Sequence, residues 1–134
     1  MCCILDARRS EVYSGVYRWP DGELERREPD QPREERVEPL EALLEWLERN
    51  PLADLILTGD GAAANSTTIR ERLGPNVRIA REPWNRPAAD IVALWGAAQL
   101  QAGRPGVDPF AAIPEYLRKS DAERSLERSS SPTG

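Results

Sequence analysis

The chain has 134 residues, of which 40% are apolar, so it suits one domain with a single sizeable core. It contains no histidine, which excludes Ser-His-Asp and Cys-His catalysis and histidine-based zinc sites. The net charge of −5 is concentrated: residues 21–49 hold 11 acidic and 5 basic side chains, and the remainder is close to neutral, so no strongly basic nucleic-acid surface is expected.

Taken in chain order, Cys2 to Asp6 predicts a first strand. Successive side chains of a strand point to opposite faces, so the adjacent cysteines read as small buried residues without a disulfide or metal. The N-terminus lacks the charged head and apolar stretch of a signal peptide, which makes the cytoplasm the expected location. Glu11 to Arg18 alternates Val12, Ser14 and Val16 with Tyr13, Gly15 and Tyr17, a second strand. Trp19-Pro20-Asp21-Gly22 predicts a turn, and Glu23 to Glu28 a polar third strand near an edge. Pro29 to Arg36 reads as a loop because it is polar and holds two prolines.

Pro39 suits the first turn of a helix. Leu40, Leu43, Leu44 and Leu47 line one helical face, with Glu41, Glu45 and Glu48 outside, until Asn50-Pro51 stops the pattern. The stretch that orders the chain follows. Leu55 to Leu57 predicts a buried strand, Gly59-Asp60-Gly61 a tight turn, and a helix capped by Ser66, Thr67 or Thr68 runs to Gly74-Pro75. Val77 to Ala80 is a further short strand. Arg81 to Pro87 is a loop carrying Trp84, for which local packing is the first reading and a partner surface the second. Ala88 to Ala102 predicts a helix with Ile91, Leu94, Trp95 and Ala98 facing inward. Glu115 to Arg118 predicts a last short extended piece that closes the domain at residue 118, leaving 119–134 as a disordered tail.

The order β-β-β-α-β-α-β-α gives an α/β domain of ribonuclease-H-like plan, with a mixed sheet and helices on its faces. Nucleases of that plan hold two metal ions on converging carboxylates. Asp6, Glu45 or Glu48, Asp60 and Asp90 occupy comparable places, and such a set would take magnesium or manganese. A metal-dependent nuclease or phosphotransfer domain using Asp6, Glu48 and Asp60 is therefore an alternative reading. In the plainer one, Asp6 and Asp60 stabilise turns and the glutamates are a solvated helix face. In open α/β sheets ligands gather at the carboxyl ends of strands, which marks Gly59, Asp60 and Gly61 as a candidate ligand-facing turn.

Four segments in the right order resemble one family. They are Leu5-Asp6-Ala7-Arg8-Arg9-Ser10-Glu11-Val12-Tyr13-Ser14-Gly15-Val16-Tyr17, Leu57-Thr58-Gly59-Asp60-Gly61-Ala62, Pro87-Ala88-Ala89-Asp90-Ile91-Val92-Ala93-Leu94, and Pro114-Glu115-Tyr116-Leu117-Arg118 followed by Ala122-Glu123. Together they resemble the second half of TsaB proteins, the bacterial tRNA threonylcarbamoyladenosine biosynthesis proteins of the glycoprotease-like M22 group. The resemblance implies one half of an actin-like ATPase (ASKHA) fold. It implies an accessory role without catalysis or cofactor of its own, in support of a TsaD-like protein and alongside a TsaE-like ATPase. Family members carry a further domain before the Asp-Ala-Arg segment, so the face that domain would cover is open here to self-association, and a homodimer is an expectation. A glycine turn near Gly59 often faces nucleotide in that superfamily, which keeps Gly59, Asp60 and Gly61 as the site to examine.

Overall fold

The computed structural model describes residues 1–19 and 29–118. These fall into two compact units divided after Arg104. The first is built on a five-stranded mixed sheet of ribonuclease-H-like plan. Its strands are β1 (Cys2–Asp6), β2 (Glu11–Arg18), β3 (Asp30–Pro39), β4 (Ile56–Thr58) and β5 (Arg78–Ile79). Their order across the sheet is β3-β2-β1-β4-β5. β1 pairs antiparallel with β2 and parallel with β4, and β4 pairs parallel with β5.

The register follows from alternation. Cys2 lies opposite Val16, Ile4 opposite Ser14 and Asp6 opposite Val12. Cys2, Ile4, Val12 and Val16 therefore share one face, and all four are buried. Against them pack α1 (Leu40–Arg49), through Leu40, Leu43, Leu44 and Leu47, and Ile69 of α3 (Ser66–Leu73). Cys3 points to the other face and is half-buried, and both thiols are free. Burial pushes the Cys2 thiol up to about 12, so it is a protonated core residue at neutral pH.

The third strand departs from the sequence expectation. The strand expected at Glu23–Glu28 lies outside the described residues, while β3 occupies the stretch read as a loop. Two features hid it. Pro32 is tolerated because β3 is an edge strand. The strand also buries charge in place of apolar side chains. Between Ser14–Arg36 and Val16–Arg33 the pairing gains one residue on β3, a bulge that brings Arg33 and Glu38 to the same face despite their odd spacing. There Arg33 grips Glu38 through two bonds of 2.6 Å, and the Ser14 hydroxyl donates to Glu38 Oε1 at 2.5 Å. Arg33 also lies over the Trp46 ring of α1, 5.0 Å from its centroid. Trp46 is thus edge packing of the core.

Beyond β4 the chain forms two helices where a turn and one helix were expected. α2 (Asp60–Ala64) begins inside the glycine turn, and α3 follows after Asn65. Ser66, Thr67 and Thr68 are consequently inside α3 and do not cap it. Asn65 stands between the helices, and its side-chain amide donates to Gly61 O at 2.8 Å. Gly74, at φ +95°, ends α3.

α4 (Ala89–Gln101) forms where a helix was predicted, but its side chains do not face inward. None is buried, and Ile91, Leu94 and Trp95 are 56, 67 and 59% exposed. Residues 105–118 of the second unit hold no helix or strand, so Glu115–Arg118 forms no strand, and the expected tail at 119–134 lies outside the described residues. No helix among the described residues is long and apolar enough to cross a membrane.

Candidate functional site

The carboxyl ends of β1 and β4 are neighbours because the two strands run parallel. Gly59 leaves β4 at φ +105°, a conformation that favours glycine. A Cβ at this position would stand 2.1 Å from Ile4 O, and one at Gly61 2.9 Å from Leu5 C. Both glycines are needed because the turn lies directly on the backbone of β1. Asp60, exposed between them, fastens the two strand ends. Its Oδ1 accepts from the Asp6 N–H at 3.0 Å and from the Gly61 N–H at 2.8 Å.

Asp6 serves the neighbouring turn in the same way. Its Oδ1 accepts from the Arg8 N–H at 2.7 Å, where Arg8, Arg9 and Ser10 take φ values of 61°, 55° and 62°. The turn is closed by Ala7 N–H to Glu11 O and Glu11 N–H to Arg8 O, each 3.0 Å. At the same sheet end the Thr58 hydroxyl donates to Trp84 O at 2.6 Å. That bond anchors the main chain of the loop while the Trp84 ring stays exposed. The local packing expected for Trp84 is therefore made by its backbone and not by its indole.

Asp6 and Asp60 are thus brought together, but their carboxylates hold backbone N–H groups. Glu48 does not join them. It makes two bonds of 2.8 Å to Arg72, tying α1 to α3, and this guanidinium holds its carboxyl below the usual range. Glu45 pairs with Arg49 of its own helix at 3.1 Å, and Asp90 is exposed in the first turn of α4. Among the described residues no three carboxylates or thiols are grouped to hold a metal ion. The alternative set Asp6, Glu48 and Asp60 is accordingly not assembled. The reason is geometric: Glu48 sits where α1 meets α3, away from the strand ends that hold the two aspartates.

Two features escaped the sequence reading. The buried Ser14–Glu38–Arg33 network had no signal beyond charges in a strand, which read as exposure. The uncovered α4 did have a signal, since Asp90 is its only charged residue. A helix without a polar face cannot be satisfied by one neighbour.

No family model matches the chain. It is 30% identical over 122 residues to the tRNA threonylcarbamoyladenosine biosynthesis protein TsaB of Bacillus subtilis, a match that covers 90% of this chain and 48% of the relative. Its fold is similar to the crystal structure of an uncharacterized Pseudomonas aeruginosa protein with similarity to peptidase YeaZ. The TM-score is 0.53 at 27% identity, covering 87% of this chain and 48% of that one. By sequence and fold together the chain is TsaB-like along nearly its whole length, and it spans about half the length of the relatives it matches.

Proposed function

We propose that this chain supplies the second, ribonuclease-H-like half of a TsaB-type accessory protein in the formation of threonylcarbamoyladenosine in tRNA. In this reading it supports a TsaD-like protein, alongside a TsaE-like ATPase, and performs no chemistry of its own. The observation that carries the proposal is the match to TsaB over 90% of the chain. The state of the acidic residues supports the non-catalytic part. Asp6 and Asp60 are engaged by backbone N–H groups, Glu48 by Arg72, and the sequence has no histidine. The conformation of Gly59-Asp60-Gly61 is accounted for by packing on β1, and the accessory role uses no ligand there.

The test is a mixing experiment. The chain is combined with a TsaD-type protein, with and without a separately expressed TsaB-type first domain, and the masses are read by light scattering after size exclusion. A complex that contains this chain is the expected result. Its absence in both mixtures removes the accessory role.

A further inference from the structure

The proposed function leaves open what this half does beyond joining an assembly. We infer that the carboxyl end of the sheet is a contact surface for single-stranded RNA, with Trp84 as a stacking platform and Arg8 and Arg81 as phosphate contacts. This inference rests on the proposed function and adds to it the surface that meets the tRNA.

Two loops make the surface, and both are fastened to the end of β4. Thr58 donates its hydroxyl to Trp84 O at 2.6 Å, and Asp60 accepts the Asp6 N–H at 3.0 Å. The strands that feed these loops, β1 and β5, flank β4, so their ends stand about 10 Å apart.

The Trp84 loop is built to hold its shape. Besides the Thr58 bond, the Trp84 N–H donates to Arg81 O at 2.8 Å and the Arg86 N–H to Pro83 O at 3.4 Å. The indole that this framework carries is 76% exposed. A large ring held out by a fixed backbone offers a face on which a base can stack at little cost in ordering.

The Arg8–Ser10 turn gives the second observation. Three successive residues with Cβ atoms, Arg8, Arg9 and Ser10, take left-handed φ values that glycine adopts without strain. All three are exposed, so none of them fills the core. Strain kept at an exposed position points to a use for the side chains presented there. Arg8 and Arg81 make no ion pair among the described residues, whereas Arg86 is paired with Glu82 at 2.8 Å. Asp6 and Asp60 are turned to backbone N–H groups. The acidic excess of residues 21–49 falls, in the described part, on β3 and α1, not on the strands that carry these loops. Guanidinium groups beside an exposed ring match phosphates beside a base. An acidic peptide would use the arginines and leave the indole idle.

The test measures fluorescence anisotropy of a labelled unmodified tRNA transcript and of a short single-stranded RNA at low salt. The full chain is used, alone and mixed with a TsaD-type protein. Trp84→Ala is expected to weaken RNA binding about 10-fold or more. Arg81→Gln and Arg8→Gly should each reduce the slope of log affinity against log salt by about 0.7, the value for one phosphate on a single strand. Arg8→Gly should bind RNA less well while melting about 1–4 °C higher, because glycine relieves the turn. Should it melt lower instead, its loss is one of folding, and Arg81→Gln and Trp84→Ala decide. Arg49→Gln, which removes the same charge from α1, should bind as the parent does.

Absence of RNA binding by the parent, alone and in the mixture, overturns the inference. So does binding that Trp84→Ala and Arg81→Gln leave unchanged, or that Arg49→Gln weakens equally, which would mean contact by general charge. Polyglutamate that displaces the RNA, with Trp84→Ala binding as the parent does, would make an acidic protein the partner. Size exclusion of the same mixtures separates the two readings. If RNA binds through these residues but the TsaD-type protein does not co-elute, the accessory role falls and the RNA surface stands. If the proteins assemble and their RNA affinity ignores all three substitutions, the RNA surface falls and the role stands.

Discussion

α1 and α4 are both predicted as helices from apolar residues at helical spacing, yet they end in opposite environments. α1 places four leucines against the sheet and turns Glu41, Glu45 and Glu48 outward. α4 is longer and more uniformly apolar and buries none of its side chains. The comparison teaches that polar residues are what let a helix finish a fold. The glutamates of α1 define the face that needs no partner, so one layer of contacts completes it. α4 has no such face. Helical spacing alone marks a helix, while the distribution of charge around it marks whether its own domain can satisfy it.

The contrast is broken or sharpened by four measurements. The largest effect is expected at the junction that locks β3 to α1. Glu38→Ala leaves Arg33 buried against the Trp46 ring without its carboxylate, and urea denaturation should show a loss of about 3–5 kcal/mol. Next, Leu44→Ala removes a fully buried side chain of α1 and should cost about 2–5 kcal/mol in the same assay. A cost near zero there would show that α1 is no better packed than α4.

A smaller effect concerns acid. Arg72 lowers the Glu48 carboxyl below its ordinary 4.5, and the Tyr17 hydroxyl does the same for Glu35. A lowered folded-state value means that the stabilisation is present above 4.5 and is lost as pH falls below it. Melting temperature followed downward from pH 6 should therefore drop less steeply in Glu48→Gln than in the parent, and 1 M salt should narrow the gap. If both profiles are identical, the α1–α3 ion pair does not form in solution. The smallest effect is expected in α4. Leu94→Ala should move the stability of the isolated chain by no more than about 0.5 kcal/mol, although the same change in α1 is among the largest. A loss comparable to Leu44→Ala would mean that α4 is packed after all.

The sheet plan was legible because its central parts obey simple periods. β2 alternates, α1 repeats its leucines at helical spacing, and Gly59 and Gly61 announce a turn that only glycine can make. The edge of the sheet was not legible. In β3 the bulge cancels the alternation on which strand recognition depends, and the buried Arg33 and Glu38 look like solvent-facing charges until their partners are known. α2 was missed because Asp60 reads as a turn former, whereas its side chain ties Asp6 to Gly61 and the helix starts beneath that tie. At the candidate site, the residues at the strand ends were found by position. Their roles were hidden because a carboxylate that accepts backbone N–H groups has the same sequence signature as one that would hold a metal. The inward face assigned to α4 fails for another reason: the apolar stripe is present, and none of the described strands and helices receives it.

The edge position of β3 has a consequence for how the isolated chain would come out of solution. One margin of the sheet ends in a strand with Pro32 and a run of charges, and the other in β5, which is two residues long. Among the described residues, neither margin offers a template on which further strands could stack. When concentrated, the chain is therefore expected to cohere through helical surfaces into amorphous, dissolvable material, without growing into fibrils.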